Sequence, residues 1–261
     1  MNHWPIYIIS LADARSRREP LARILQHIGQ KYEIFEAVDA RKGVPNEYAN
    51  LVDWSKAKAV LGREMSAPEA GCALSHLFLY RKVVDEGLPG AIIFEDDAIL
   101  SEGDKFREFM DQRVYQRGNF IQLGYGAVRV WRCGAGQRRE SHMLRSERLV
   151  YNAGLANAYS ITAYAAEFIL QRSIPVRCVA DWPCDLRPIG PRIIVPRLVG
   201  CMPHGLNSYL EKPRLMRKKE GDGNDAIASR RKSWGRGVGE RRNPPPPGYW
   251  YVQRYFSKTL F

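Results

Sequence analysis

Three consecutive carboxylates, Glu95, Asp96 and Asp97, follow the apolar run AIIF at residues 91–94. Such a run is typical of a strand buried on both faces, and desolvating three adjacent like charges at its end is costly unless a cation lies between them. Carboxylate oxygens are the ligands that Mg²⁺ and Mn²⁺ prefer, often together with the phosphates of a ligand. The triplet therefore predicts a divalent-cation site for a diphosphate, and the alternative is a solvated strand end.

The elements that must position this triplet begin with a strand–helix–strand unit. The segment IYIISL (residues 6–11) predicts a buried strand, and SRREPLARILQHIG after it carries apolar residues at helical spacing. YEIFEAV (residues 32–38) alternates as a second strand. Because the three elements follow one another within about 35 residues, we expect the two strands to be parallel.

A helix with a capping-box spacing precedes the acidic strand, since Ser66 is followed three residues later by Glu69. Because side chains alternate along a strand with a period of two, Glu95 and Asp97 are expected on one side and Asp96 on the other. The alternation of strands and helices predicts an α/β fold with a mostly parallel central sheet. In such a sheet we expect the site at the carboxyl edge.

The remainder of the sequence is less regular. A helix is predicted across residues 103–116 and a strand at FIQLG, whereas residues 124–148 predict a loop or an irregular strand. Residues 158–173 predict a strand that turns into a helix capped by Thr162. Residues 174–205 predict one short strand, PRIIVP.

Several classes of protein are disfavoured by what the sequence lacks. There is no GxxxxGK[ST] phosphate loop, and no GxGxxG follows the first strand, which argues against an ordinary P-loop nucleotidase and a Rossmann dinucleotide site. No apolar run approaches the roughly 18 residues of a membrane span, and WPIYIISLA near the start is too short an apolar stretch to predict a signal peptide. Five cysteines without a CxxC pair predict a reduced, cytoplasmic protein with buried, unreactive thiols.

The positive charge is concentrated at one end of the chain. Residues 211–261 carry 13 Lys and Arg against 5 Asp and Glu, a net +8, which leaves +4 of the total +12 for residues 1–210. This basic tail is expected to bind anionic lipid at the inner face of the plasma membrane, to bind nucleic acid, or to be simply solvated. Because the body carries so little excess charge, we expect no nucleic-acid partner.

Three segments in order resemble the family 25 glycosyltransferases, the lipooligosaccharide-type bacterial sugar transferases that are similar to the collagen galactosyltransferases. They are IYIISLADARSRREPLARILQHIGQKYEIFEAVDA, EMSAPEAGCALSHLFLYRKVVDEGLPGAIIFEDDAIL and ANAYSITAYAAEFIL. The resemblance implies a GT-A type, Rossmann-like sandwich over residues 1–210. A nucleotide-sugar half would occupy about residues 1–125 and an acceptor half about residues 126–210, with residues 211–261 as the tail.

The resemblance also implies an activity, namely the transfer of a hexose, usually galactose, from a UDP-sugar to a lipooligosaccharide or lipopolysaccharide glycan, with inversion. The alternatives are a protein or capsular glycan acceptor, or a non-enzymatic module that binds lipid or nucleic acid. Mn²⁺ or Mg²⁺ would be held by Asp97 and Glu95, with His204 completing the metal shell. Asp181 is expected to be the catalytic base and Asp185 its reserve, while Asp181 as a simple turn cap is the alternative.

Donor binding is assigned by the same resemblance to a set of polar and loop residues, namely Leu11, Arg15, Arg18, Asp39, Ser75, His76 and Asp96. Arg15 and Arg18 would contact phosphates, although arginines on an exposed first helical turn are often only solvated. The sequence departs from the family pattern at Ser10, where Asn is favoured, and at Ala40, where Gly is frequent. These departures concern local nucleotide contacts rather than the fold.

Overall fold

The structure is a computed structural model that describes residues 3–126, 128–131, 136–181 and 183–201. Its strands, numbered in chain order, are β1 (Ile6–Ser10), β2 (Glu33–Glu36), β3 (Gly90–Glu95), β4 (Ala98–Leu100), β5 (Phe120–Gln122), β6 (Gln137–Arg139), β7 (Arg145–Arg148), β8 (Ala158–Thr162), β9 (Arg192–Val195) and β10 (Val199–Cys201). Its α-helices are α1 (Arg15–His27), α2 (Trp54–Leu61), α3 (Ala67–Asp85), α4 (Gly103–Asp111) and α5 (Ala163–Ser173). Short 3-10 turns lie at Asn46–Leu51, Val114–Gln116 and Arg187–Ile189.

One mixed sheet organises the described residues, with the strand order β2-β1-β3-β8-β5-β9-β7-β6. The pairs β1–β2, β1–β3 and β5–β9 are parallel. Strand β8 runs antiparallel to both β3 and β5, and β7 runs antiparallel to β9 and β6. All strands of this sheet except β7 and β8 therefore point the same way, which confirms the mixed α/β fold with a mostly parallel sheet.

The local predictions around the acidic triplet are confirmed. In β1–α1–β2 the two strands are parallel, as the short connection requires. Helix α3 begins with a capping box, in which the Ser66 hydroxyl accepts from the Glu69 N–H and the Glu69 carboxylate accepts from the Ser66 N–H. Helix α5 is capped by Thr162, whose hydroxyl accepts from the Ala165 N–H. These caps satisfy backbone donors that the helix itself cannot pair.

Two predictions for the later segments are wrong. Residues 137–148 form a regular hairpin of β6 and β7, although the charged sequence of β6 lacks the apolar alternation that signals a strand. Strand β10 follows β9 and pairs with β4 in a separate two-stranded sheet, so the segment holds a second strand besides PRIIVP. Strands of three residues are too short to leave a periodic pattern.

Helices cover both faces of the sheet, and successive residues of the central strands point into opposite layers. Tyr7 and Ile93 pack in the layer that contains α3 and α5. Ile8, Ile92 and Phe94 pack in the layer that contains α1 and α4. Burying each such side chain contributes about 1.5–3 kcal/mol, so the strand that carries the triplet is fixed from both sides. No helix of the described segments is both long and apolar enough to cross a bilayer.

Candidate functional site

The carboxyl ends of β1, β2 and β3 meet at one edge of the sheet, because Ile9 pairs with Glu95 and Ser10 pairs with Glu36 in parallel register. A cleft with a volume of about 120 Å³ lies at this edge. It is bounded by the end of β1, α1, the loop at residues 37–41, the start of α3 and the end of β3. Seven of the predicted site residues line it: Leu11, Asp39, Ser75, His76, Glu95, Asp96 and Asp97. The fold therefore brings together the acids and most of the predicted donor-binding residues.

Asp96 and Asp97 share one guanidinium, that of Arg17. Arg17 Nε donates to Asp96 Oδ1 at 2.9 Å, and another guanidinium nitrogen donates to Asp97 Oδ2 at 3.1 Å. The Ser10 hydroxyl donates to the second oxygen of Asp96 at 3.0 Å. The prediction that Asp96 faces away from Asp97 is wrong, because β3 ends at Glu95 and the next two residues form a turn.

Negative charge exceeds positive charge around this cluster. Burial, reinforced by the charge of Glu95, raises the pKa of Asp97 to about 6, even though Arg17 acts to lower it. Although burial opposes ionisation of Arg17, its hydrogen bonds to Asp96 and Asp97 raise its pKa, so this side chain stays cationic. One guanidinium thus pairs with two carboxyl groups, and Glu95 adds a third carboxyl group nearby, so a hard divalent cation fits the surplus of negative charge.

Glu95 faces a different set of partners from its two neighbours. Its Oε1 lies 3.1 Å from His76 Nε2 and accepts a weak hydrogen bond from the Cys72 thiol at 3.7 Å. On the far side of the imidazole, Nδ1 lies 2.6 Å from the Tyr159 hydroxyl, which lies 2.6 Å from the Tyr80 hydroxyl. Burial opposes ionisation of Glu95, but the hydrogen bond and charge of His76 outweigh it and lower the pKa of Glu95. A hydrogen-bonded chain therefore runs from the core to the cleft.

The loop at residues 37–41 is held against α3 by a predicted donor-site residue. The Ser75 hydroxyl accepts from the Val38 N–H at 2.9 Å and donates to the Gly71 carbonyl at 2.7 Å. A Cβ added at Gly71 would lie 2.9 Å from the Val38 carbonyl oxygen, so only glycine permits this close approach. Ser75 thus shapes the cleft wall through the backbone.

The mouth of the cleft carries a surface ion pair. Both oxygens of Asp39 accept from the guanidinium of Arg41, at 2.9 and 2.6 Å. Arg41 also donates to Asp13 at 2.8 Å, which links this loop to the turn before α1. Arg41 was not among the predicted residues, and its position beside the cleft follows from the loop conformation.

Two predicted phosphate contacts and both predicted bases, Asp181 and Asp185, lie outside the cleft lining. Arg15 is exposed on α1, and Arg18 donates to the Ser10 hydroxyl and the Leu11 carbonyl, which holds the turn after β1. Asp185 forms a half-exposed ion pair with Arg187. The arginine that faces the acids is Arg17. It precedes the buried residue Leu21 by four positions and therefore lies on the same, inward face of α1, and this spacing is the feature of the sequence that favours Arg17.

Asp181, the predicted base, accepts at Oδ1 from the Ala156 N–H at 3.0 Å, which holds it beside the segment that leads into β8. Burial raises the pKa of the Cys72 thiol, and the charges of Glu95 and Asp181 raise it further. Asp181 itself is not among the residues that line the cleft. The remaining predicted ligand, His204, lies outside the described residues.

Comparison with known proteins places this site in a family. The sequence model of glycosyltransferase family 25 (LPS biosynthesis protein) matches residues 3–183. The chain therefore belongs to glycosyltransferase family 25.

Two curated relatives come from bacterial surface-glycan biosynthesis. The lacto-N-neotetraose biosynthesis glycosyltransferase LgtB of Neisseria meningitidis serogroup B is 36% identical over 101 residues, which are 38% of this chain and 35% of that protein. The lipooligosaccharide biosynthesis protein lic2B of Haemophilus influenzae is 32% identical over 119 residues, 44% of this chain and 43% of that protein. The chain thus spans less than half the length of these relatives.

Among solved structures, the mannose-1-phosphate geranyltransferase of Thermus thermophilus is a distant neighbour. It shows 10% identity and a TM-score of 0.36 over 74% of each chain. A likeness of this strength carries no argument about the site.

Proposed function

We propose that this chain is a GT-A type glycosyltransferase that moves a hexose, galactose by expectation, from a UDP-sugar to a lipooligosaccharide or lipopolysaccharide glycan, with inversion. The observation that carries the proposal is the cleft at the carboxyl edge of β1–β3, which Glu95, Asp96 and Asp97 all line and where one arginine pairs with Asp96 and Asp97. Ligands of open α/β sheets bind at this edge. The family and the printed names of its relatives supply the reaction class.

The residues of the cleft fit a divalent cation, because a buried carboxyl group with a pKa raised to about 6 signals negative charge that the protein leaves uncompensated. Asp97 and Glu95 would hold Mn²⁺ or Mg²⁺, and His204 is proposed to join them. When bound, the ion would stabilise the charge that gathers on the departing diphosphate.

Asp96 in the cleft and Asp181, which is not among the cleft-lining residues, divide the other tasks of the proposed reaction. Asp96, fixed by Arg17 and Ser10, is placed to accept hydrogen bonds from the ribose or the donor sugar. Asp181 accepts the proton of the acceptor hydroxyl while that oxygen bonds to the anomeric carbon and the bond from this carbon to the diphosphate oxygen breaks. We retain Asp181 over Asp185, which is engaged with Arg187 at the surface.

The domain division is part of the proposal. Residues 1–210 would form the transferase domain, and its donor half (1–125) and acceptor half (126–210) contribute to the same sheet, because β8 lies between β3 and β5. The basic tail at residues 211–261 lies outside the described residues. We propose that it holds the enzyme at an anionic membrane face where a lipid-linked acceptor resides.

Calorimetric titration of UDP tests the donor site. We expect the wild type to bind UDP with Mn²⁺ but not with EDTA, and Asp97→Ala to lose this binding. Asp104→Ala is the matched control, since Asp104 is an acid on the exposed face of α4. Binding that is the same in EDTA, or that survives Asp97→Ala, contradicts the proposed site.

Turnover assays with UDP-galactose and a lipooligosaccharide acceptor test the base. Asp181→Asn is expected to lower kcat by about 10²–10⁴ while UDP binding persists, because a lost general base affects the chemical step. Asp185→Asn should retain the wild-type rate. The reverse pattern would transfer the role of base to Asp185.

A further inference from the structure

A mixed set of metal-binding side chains lies on the α3 side of the cleft, separate from the pair Asp96 and Asp97 that Arg17 holds. Cys72 and His76 are one turn apart on α3 and therefore project from the same face of that helix, towards Glu95 at the end of β3. One ligand atom from each residue, the Cys72 sulfur, a His76 ring nitrogen and a Glu95 oxygen, lies within 4.8 Å of the other two. The proposed transfer reaction gives no role to the thiol.

The spacing of these atoms suits a small tetrahedral ion. Ligand atoms about 2.0–2.3 Å from zinc lie roughly 3.3–3.8 Å from one another at tetrahedral angles. The His76 Nε2 to Glu95 Oε1 distance is 3.1 Å and the Cys72 Sγ to Glu95 Oε1 distance is 3.7 Å. Small side-chain rotations would therefore create the site without moving α3 or β3.

The chemistry of the set favours zinc over the harder ions. Thiolate and imidazole ligands suit Zn²⁺, whereas Mg²⁺ and Mn²⁺ prefer oxygen. All three residues line the cleft, so a fourth coordination position would open towards it. Three protein ligands and one open position are the arrangement that zinc adopts in reactive rather than purely structural sites.

His76 is oriented for this role before any ion arrives. A metal-bound histidine normally uses its second nitrogen in a hydrogen bond that fixes the ring. In His76 that nitrogen, Nδ1, lies 2.6 Å from the Tyr159 hydroxyl, and the His76 ring stacks on the Tyr159 ring at 5.8 Å. The Tyr80 hydroxyl completes the support at 2.6 Å from that of Tyr159. Nε2 is thus directed at Glu95 and the thiol.

We propose that Cys72, His76 and Glu95 form a Zn²⁺ site in the cleft. We also propose that zinc bound there opposes the sugar-nucleotide site, because it would draw on the Glu95 carboxylate that the Mn²⁺ or Mg²⁺ site needs and would place a second positive charge beside that ion. The second statement rests on the proposed function, whereas the first does not. Zinc would then act as an inhibitor of the transferase rather than as its cofactor.

Cobalt titration of the full chain, stripped of metal with a chelator, tests the site directly. We expect Co²⁺ to bind with one equivalent, to give the absorption of a tetrahedral ion with a thiolate-to-cobalt charge-transfer band, and to be displaced by Zn²⁺. Cys72→Ser should lose the charge-transfer band. Cys178→Ser is the matched control and should keep it, because Cys178 is a free, buried cysteine that is not part of the set.

The effect on the donor site is measured separately. One equivalent of Zn²⁺ should weaken UDP binding in the presence of Mn²⁺ by at least tenfold in the wild type and leave Cys72→Ser unaffected. If UDP does not bind under any condition, the proposed function fails, and the cobalt spectrum still decides the zinc site. A wild-type cobalt spectrum without a thiolate band overturns the zinc site, and this result needs no variant. A thiolate band that persists in Cys72→Ser also overturns it.

Discussion

Arg17→Met is the substitution that most directly tests the charge arrangement of the cleft. Methionine keeps much of the length of the side chain and removes the guanidinium that Asp96 and Asp97 share. Only 15% of the Arg17 side chain is exposed, and the two carboxylates are 10% and 26% exposed. The substitution therefore leaves a largely buried cluster of acids without its cation.

The magnitude follows from the options open to those acids. Removing one partner of a fully buried ion pair costs about 3–5 kcal/mol, and partial exposure reduces that figure. Asp97, with a pKa of about 6, takes up a proton at pH 7.5 for about 2 kcal/mol, which caps its share of the penalty. Asp96 loses its ion pair with Arg17 as well. We expect the two effects together to lower the free energy of unfolding by about 2–4 kcal/mol.

Chemical denaturation and thermal melting at pH 7.5 and at pH 5 measure this loss. Arg18→Met is the matched control and should cost less than about 1 kcal/mol, since among the described residues Arg18 bonds only to the Ser10 hydroxyl and to the Leu11 and Ala12 backbone carbonyls. The penalty of Arg17→Met should shrink at pH 5, where Asp97, with a pKa of about 6, is largely protonated. Mn²⁺ should raise the melting temperature of Arg17→Met more than that of the wild type. If both variants have equal stability and the same response to Mn²⁺, the reasoning is refuted.

Three further substitutions probe the strand end and its supports. Because the fold raises the pKa of Asp97 above its unfolded value, the free energy of unfolding of the wild type falls as the pH rises from about 4 through about 6. In urea denaturation Asp97→Asn should therefore be more stable than the wild type at pH 7.5, by an amount on the order of 1–3 kcal/mol, and about equally stable at pH 4. A variant that is less stable than the wild type at pH 7.5 contradicts this sign. Ser66→Ala should cost about 1 kcal/mol by loss of the capping box, and an unchanged urea midpoint would show the cap to be dispensable. Gly90→Ala should destabilise by about 1–3 kcal/mol, because its Cβ would lie 2.5 Å from the Ile161 carbonyl oxygen and the Trp4 ring, and a wild-type melting temperature would show that β3 can shift to accept it.

Features that depend on local sequence were predictable. The Ser66–Glu69 spacing determines a hydrogen-bond pattern within one turn, and the predicted capping box is present. The apolar run before Glu95 identifies a strand buried on both faces, and the acids follow it at the sheet edge as expected. Such signals need no knowledge of distant contacts.

Features that depend on tertiary packing were not predictable with the same detail. Which arginine of α1 faces the acids depends on how the helix is rotated against the sheet, and Arg15 and Arg18 were chosen where Arg17 makes the contact. The orientation of Asp96 depends on the turn that follows β3 and on the hydrogen bonds that Asp96 accepts from Arg17 and Ser10. The hydrogen bond between His76 and Tyr159 joins residues far apart in the sequence, and no local pattern predicts it.

The position of β8 has a consequence for how the protein is made. Strand β3 pairs with β1 on one side, and its other edge pairs with β8, where Phe94 is opposite Ala158. As the chain leaves the ribosome, that edge stays open until the segment Ala158–Thr162 has been synthesised. The unpaired edge of an apolar strand can pair with other chains. We therefore expect nascent chains that stall before β8 has been synthesised to be the most prone to aggregate and to bind chaperones.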